Sequence, residues 1–303
     1  MKNLLINYFH FFAGILFLLL AKVRKSIYGY TPKPFTTEEV QRCIEYDLNI
    51  VDDWLKQLKN YTKSEGDLLK DKSILELGPG SDLGIGLSLL AKGAKKYTAV
   101  DIYDLVANVP DKFYEQLFVY FKKTMNIDTV PLQEEFVKLK NKEKSRLNYV
   151  CRKDFDIKKA LDDEEKVDII FSNAAFEHFD NVKETIKNVS SVVGPGGKFI
   201  ILVDLQTHSR WIREKDPNNI YRYPQWLYSL LSTQSTPNRT RPYKYEEALS
   251  EFGWENISVY SNNILGEEMF SSMKRYLNKD FKGSRNQMEY LTAWICATKK
   301  ADN

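Results

Sequence analysis

The sequence predicts a doubly wound α/β domain with a mainly parallel sheet and a helical extension at its N-terminus. Three observations predict it. From Lys72 onward, short apolar runs alternate with helical stretches, the pattern of βαβ units. The runs are apolar at nearly every position, as strands are when helices cover both faces of a sheet. The first run ends in a glycine-rich bend that opens a helix, the place where such sheets meet a ligand.

The N-terminus stands apart. Residues 4–21 read LLINYFHFFAGILFLLLA, with Asn7 and His10 as the only strongly polar side chains. At about 1.5 Å per residue a helix here is roughly 27 Å long, just short of a hydrocarbon core. No small-residue cleavage site follows, and Lys22, Arg24 and Lys25 outnumber Lys2 plus the terminal amine. Residues 1–25 are therefore expected to be a membrane anchor, spanning or lying on the bilayer, with the rest of the chain on the cytoplasmic side. A helix docked on the protein's own core or on a partner is the competing reading.

Residues 26–71 read as a linker, with Gly29, Pro32 and Pro34, followed by a helix. Thr36 and Glu39 have capping-box spacing. Val40, Ile44, Leu48, Val51, Leu55 and Leu58 then recur at helical spacing and define one apolar face. Strands are expected over 73–77, 97–100, 148–151, 167–171 and 198–204. Helices are expected over 82–92, 111–125, 132–141 and 181–193, the last stopped by Gly194 and Pro195. The domain runs over 72–300 with insertions at about 102–146 and 206–242, the second dense in Trp, Tyr and Arg. A helix over 243–252, with Gly253 at its end, and strands over 257–260 and 291–298 complete it.

Composition narrows the function. With 303 residues the chain suits one elaborated domain. A net charge of +3 gives no concentrated basic face, so no nucleic-acid partner is expected. Cys43, Cys151 and Cys296 lie far apart with no Cys-x-x-Cys spacing, so no metal ligands are expected, and three buried structural thiols are.

The motif with chemistry is Glu76-Leu77-Gly78-Pro79-Gly80-Ser81-Asp82-Leu83-Gly84. Glycines let the backbone turn tightly and let a ligand come close. A dinucleotide fingerprint is G-x-G-x-x-G, but here the third glycine, Gly84, falls one position late. Glu76 is also awkward beside a pyrophosphate and suits a ligand with a positive end. Asp101, at the next strand tip about twenty residues beyond Gly80, is placed to accept hydrogen bonds from ribose hydroxyls; capping a turn is its other role. Asp154, with Asp156 competing, is placed to meet an adenine amino group. Ser172-Asn173-Ala174-Ala175-Phe176-Glu177-His178 follows the fourth strand.

In that order these signals resemble the class I S-adenosylmethionine-dependent methyltransferases of the small-molecule type. The residues that carry the resemblance are Glu76-x-Gly78-x-Gly80, Asp101, Asp154, Ser172-Asn173-x-x-x-Glu177-His178 and the turn Gly194-Pro195-Gly196-Gly197. The resemblance implies a seven-stranded Rossmann-like sheet whose last strand runs antiparallel. It also implies S-adenosylmethionine as cofactor, with Glu76, Gly78, Gly80, Asp101, Asp154 and Asn173 around it. The C-terminal part is similar to a poorly characterised bacterial subgroup through Asp204, His208, the run Ile220–Trp226 and Asn238-Arg239-Thr240-Arg241.

Methyl transfer needs alignment more than acid–base help, but a hydroxyl acceptor benefits from a base. His178, His208 and Asp204 are the candidates at the carboxyl edge of the sheet. The aromatic insertion is the candidate acceptor pocket, where Arg222, Arg239 and Arg241 either bind an anionic acceptor or pair internally. The acceptor itself is not legible; a membrane lipid or saccharide rests on residues 4–21 alone. Two rivals remain: an NAD(P)-dependent oxidoreductase, and a membrane-tethered non-enzymatic scaffold on the same fold.

Overall fold

The computed structural model describes residues 2–29, 39–161, 166–234 and 236–301. One seven-stranded sheet organises them, in the order β3-β2-β1-β4-β5-β7-β6. Its strands are β1 (Ser73–Leu77), β2 (Lys96–Asp101), β3 (Leu147–Cys151), β4 (Val167–Asn173), β5 (Val193–Asp204), β6 (Trp254–Ile264) and β7 (Tyr290–Lys299). β7 runs antiparallel to both neighbours and the other pairings are parallel. The sheet is doubly wound, and the direction of winding reverses between β1 and β4.

Strand alternation sorts the side chains into two cores. Ile74, Tyr97, Ala99, Ile169, Phe171 and Ile200 face one side. There they meet α2 (Val40–Thr62), α3 (Gly84–Ala91) and α4 (Asp111–Thr124); Trp54 of α2 stacks on Phe171 at 4.5 Å. Leu75, Leu77, Val100, Ile170 and Phe199 face the other, against α6 (Val182–Val192) and α9 (Pro242–Glu251). α5 (Val130–Lys140) packs beside β3. Asn181 caps α6 by accepting from the Glu184 amide, a bond that fixes where the helix begins.

The expected elements are present, with shifted ends. β5 starts at Val193, so the Gly-Pro-Gly-Gly turn lies inside the strand as an irregularity rather than before it. α1 (Lys2–Tyr28) continues through residues 26–28, which were expected to be linker. Thr36 of the expected capping box lies outside the described residues, and Glu39 stands at the N-cap position of α2. α10 (Glu267–Lys274) was not anticipated. Of the three thiols only Cys296 is buried; Cys43 is half-buried, and Cys151 is exposed at the end of the edge strand β3, beyond which no further strand lies among the described residues.

The second insertion folds as α7 (Arg210–Arg213), a 3-10 turn over Asn219–Arg222 and α8 (Gln225–Leu231), and α1 packs on it. Leu18 of α1 joins Ile220, Tyr221, Tyr223 and Tyr228 in a small core of their own. Asn219 donates to the His10 carbonyl at 2.9 Å, Tyr223 to the Phe11 carbonyl at 3.1 Å and Arg222 to Asn7 Oδ1 at 2.9 Å. Gly14 is needed for this approach: a Cβ there would lie 2.0 Å from Asn219 Oδ1 and Tyr223 Oη.

Candidate active site

The bend after β1 is held by chemistry its sequence dictates. Gly78 and Gly80 have φ of +73° and +82°, a region that L side chains avoid. The Gly78 amide donates to the Val100 carbonyl at 3.0 Å, stitching the bend to β2. A Cβ on Gly78 would meet Ala175 Cβ at 2.5 Å, because the loop after β4 abuts the bend at the switch point. A Cβ on Gly80 would meet nothing within 4 Å. One glycine therefore serves packing, and the other borders open space.

Register places the acids on one face. Glu76 pairs with Ala99 of β2 and Phe171 of β4, so Glu76, Asp101 and Asn173 all lie on the side of the sheet that carries α2. Asp101 accepts from the Tyr103 amide at 2.9 Å, which makes it a turn cap as well as a candidate ribose ligand. Burial raises its pKa, and the amides of Tyr103, Ile102 and Gly80 oppose the rise. The Asn173 amide group donates to the Tyr46 hydroxyl at 3.4 Å.

Glu76 is 1% exposed and accepts a hydrogen bond from Tyr97. Burial pushes its pKa up to about 8, with Asp82 and Asp101 adding to the rise. Asp82 and Asp47 are buried beside it. Asp82 accepts from the Gly84 amide at 2.9 Å and from the Ser81 hydroxyl at 3.1 Å. Asp47 hydrogen-bonds to Asp82, yet its Oδ2 has no partner. Burial, then the Asp82 charge, raises the Asp47 pKa well above the carboxylate range. Among the described residues no Lys or Arg pairs with any of the three. Three buried carboxyls without a cation are costly unless a ligand supplies one or protons do. Asp47 was missed in the sequence, yet its signal was there: it stands at i+7 from Val40 and i+3 from Ile44, a polar residue on the buried stripe.

Asp154 lies elsewhere in character. It is exposed and bidentate with Arg152 at 2.9 and 2.7 Å, which holds its pKa down to about 2. Asp156 is likewise paired, with Lys159 at 2.9 Å.

Beyond β4 and β5 a second group assembles. The rings of His178 and His208 stand 4.8 Å apart, edge to face. His208 Nε2 is 3.5 Å from Asp204 Oδ2 but makes no hydrogen bond, and Arg213 pairs with the same oxygen at 2.7 Å. Burial opposes the Asp204 charge, but His208 and Arg213 more than offset it, and its pKa lies below the usual value. Glu177, unremarked as a buried acid in the sequence, is 2% exposed. Neither of its oxygens has a hydrogen-bond partner of normal geometry, although the amides of Glu177 and Asp204 lie near. Burial raises it to about 8 and lowers His178 to about 4, the latter helped by His208. The structure thus brings His178, His208 and Asp204 to one place.

Arg222, Arg239 and Arg241 are internal ties. Arg222 forms a buried ion pair with Asp216 at 2.7 Å. Arg239 donates to the Ile220 and Tyr223 carbonyls and lies 4.2 Å over the Tyr228 ring. Arg241 donates to the Asn286 carbonyl at 2.8 Å and to the carbonyls of Gln287 and Tyr290. Their donors hold the insertion together. Next to His208 a cleft of about 460 Å³ opens between the insertion and α1, lined by Phe17, Leu18, Ala21, Lys25, Ile212 and Pro237 among others.

Residues 51–259 match the family model described as a methyltransferase domain. No curated protein matches the chain. Among solved structures the chain is similar to phosphoethanolamine N-methyltransferase 2 of Haemonchus contortus in complex with S-adenosylmethionine (14% identity, TM-score 0.46, 84% of this chain and 52% of that one). It is similar also to the CurJ carbon methyltransferase (15%, 0.42, 78% and 50%) and to the YcgJ protein of Bacillus subtilis (13%, 0.41, 80% and 97%). The chain thus spans about half the length of the first two. With more than half of its length matched by the family model, the chain belongs to the methyltransferase-domain family, the class I S-adenosylmethionine-dependent methyltransferases.

Proposed function

We propose that this protein transfers a methyl group from S-adenosylmethionine to an acceptor held at the cytoplasmic surface of a membrane. The observation that carries the cofactor half is the buried group Glu76, Asp82 and Asp47 beneath a glycine bend that is open at Gly80. It suits an ammonium and a sulfonium and would repel the pyrophosphate of a dinucleotide. In this reading the three acids hold the cationic end, Asp101 takes the ribose hydroxyls and the Gly78–Gly80 backbone lets the nucleoside come close. When bound, the cofactor supplies an electrophilic methyl group. The chain's own work is to orient the acceptor and keep water out.

The acceptor half rests on α1. Among the described residues it is the one helix long and apolar enough to cross a membrane. Its flank over Asn7, His10, Phe11 and Lys22 is bonded to the insertion, while Leu5, Phe12, Leu16 and Ile27 stay exposed. Trp211 and Trp226 of the insertion are also exposed, at 52% and 68%. A helix bonded along one flank and apolar along the other fits a membrane surface better than a span, and Lys22, Arg24 and Lys25 suit anionic headgroups. The cleft beneath α1 then admits a lipid or lipid-linked saccharide, whose polar end meets the two histidines.

Incubating the full chain with methyl-labelled S-adenosylmethionine and separated membrane and soluble fractions tests this. Label is expected in an extractable membrane component and is expected to vanish in Asp101→Ala. Label confined to the soluble fraction would remove the membrane acceptor and keep the cofactor reading.

A further inference from the structure

We infer that Glu177, His178 and His208 form a divalent-metal site of the zinc type at the mouth of the acceptor cleft. One ligand atom from each of the three lies within 4.8 Å of the others. In a tetrahedral site with bonds of about 2.0–2.2 Å the donors stand roughly 3.4 Å apart, so modest side-chain closure suffices. The donors are otherwise unemployed. Glu177 is 98% buried by its 2% exposure, and neither carboxylate oxygen nor His178 Nδ1 has a hydrogen-bond partner. Leaving such atoms unpaired costs stability, and a native fold keeps them unpaired where something else fills the place.

The surroundings match a metal centre with an open position. Two histidines and one glutamate are a three-ligand set, which leaves a fourth place for water or substrate. Asp204, held by Arg213 at 2.7 Å, lies 3.5 Å from His208 Nε2 without hydrogen-bonding to it, so a carboxylate stands beside the ligand set and adds negative charge there. His208 also lines the cleft beneath α1, so it joins the ligand set to the space an acceptor would enter. Lys25 approaches His178 but makes no hydrogen bond there. The sequence hid the site because its ligands come from two loops, after β4 and after β5, with His178 and His208 thirty positions apart and no local spacing signature. A metal here would polarise an acceptor oxygen, a role that rests on the methyltransferase reading; the binding itself does not.

Titration of the full chain, purified in detergent and stripped with a chelator, with Co²⁺ and Zn²⁺ tests the site. About one equivalent is expected, with a visible ligand-field band from Co²⁺ that Zn²⁺ displaces. Glu177→Gln and His208→Ala are each expected to weaken binding at least about tenfold. S-adenosylhomocysteine affinity, measured on the same samples, reports an intact fold. No Co²⁺ band, or a band unchanged in both ligand variants, overturns the site. If S-adenosylhomocysteine still binds in that case, the cofactor reading survives; if metal binds and S-adenosylhomocysteine does not, the reverse holds.

Discussion

The proposed cofactor cradle and the proposed acceptor cleft both lie at the carboxyl edge of one sheet, but they are assembled at different ranges. Glu76, Gly78, Gly80 and Asp82 come from one bend, and Asp101 from the strand tip paired beside it. The cleft is built by contacts such as Asn7 with Arg222 and Phe11 with Tyr223, more than two hundred residues apart. The cradle therefore inherits its shape from local backbone chemistry and the register of three strands. The cleft depends on whether α1 docks. Damage to the cleft should leave the cradle working, while damage to the cradle should silence both.

The sharpest way to break that comparison is Asp216→Ala. It leaves Arg222 buried without its ion-pair partner, which costs about 3–5 kcal/mol. Limited proteolysis is expected to cut the insertion and release α1, with S-adenosylhomocysteine affinity within about threefold of wild type. A matching loss of cofactor binding would show that the two regions fold as one.

Gly78→Val attacks the other side. The branched side chain meets Ala175 at a φ of +73°, and overpacking with backbone strain costs about 3 kcal/mol. Calorimetry should find S-adenosylhomocysteine binding abolished and Tm lowered. Gly80→Ala carries only the strain, about 1–2 kcal/mol, because the space beside it is open. It should keep a near-native Tm and still lose cofactor affinity.

Gly14→Leu tests the dock with less force. Its side chain collides with Asn219 and Tyr223, an overpacking of about 1–3 kcal/mol, while α1 stays as apolar as before. Methylation of the proposed membrane acceptor is expected to fall severalfold at unchanged cofactor affinity. Equal loss of both would merge cradle and cleft.

The smallest effect is one of pH. Glu76 is protonated in the folded chain below about 8, whereas an unfolded chain ionises it near the ordinary value of 4.5. Between those values the folded state holds the extra proton, so its stability falls as pH rises. The ammonium of S-adenosylhomocysteine favours the ionised form, so its affinity should rise over the same window, by at most about tenfold per pH unit for one proton, and level off above about 8. Glu76→Gln should flatten the slope. An affinity independent of pH in the native chain would show that the carboxyl does not meet the ligand's charge.

Several features were readable from residue order alone. Strand and helix alternation, the glycine bend, Glu76 and Asp101 are local patterns, and the backbone at Gly78 and Gly80 obeys them. Asp47 was half legible: the stripe was drawn through Leu48 and Leu55, while burial runs through Asp47 and Trp54, a shift of one residue that turned an acid inward. The burial of Glu177 was not legible, because nothing near it in the chain covers it.

What residue order determined, then, was whatever depends on near neighbours: which runs become strands, where φ turns positive and which acids stand at strand tips. Only the tertiary structure decided what those groups face. Packing buried three carboxyls together, spent Arg222 on Asp216 and Arg239 and Arg241 on backbone carbonyls, and set Glu177 against two histidines. Burial and electrostatics depend on distance through space, and a sequence records distance only along the chain.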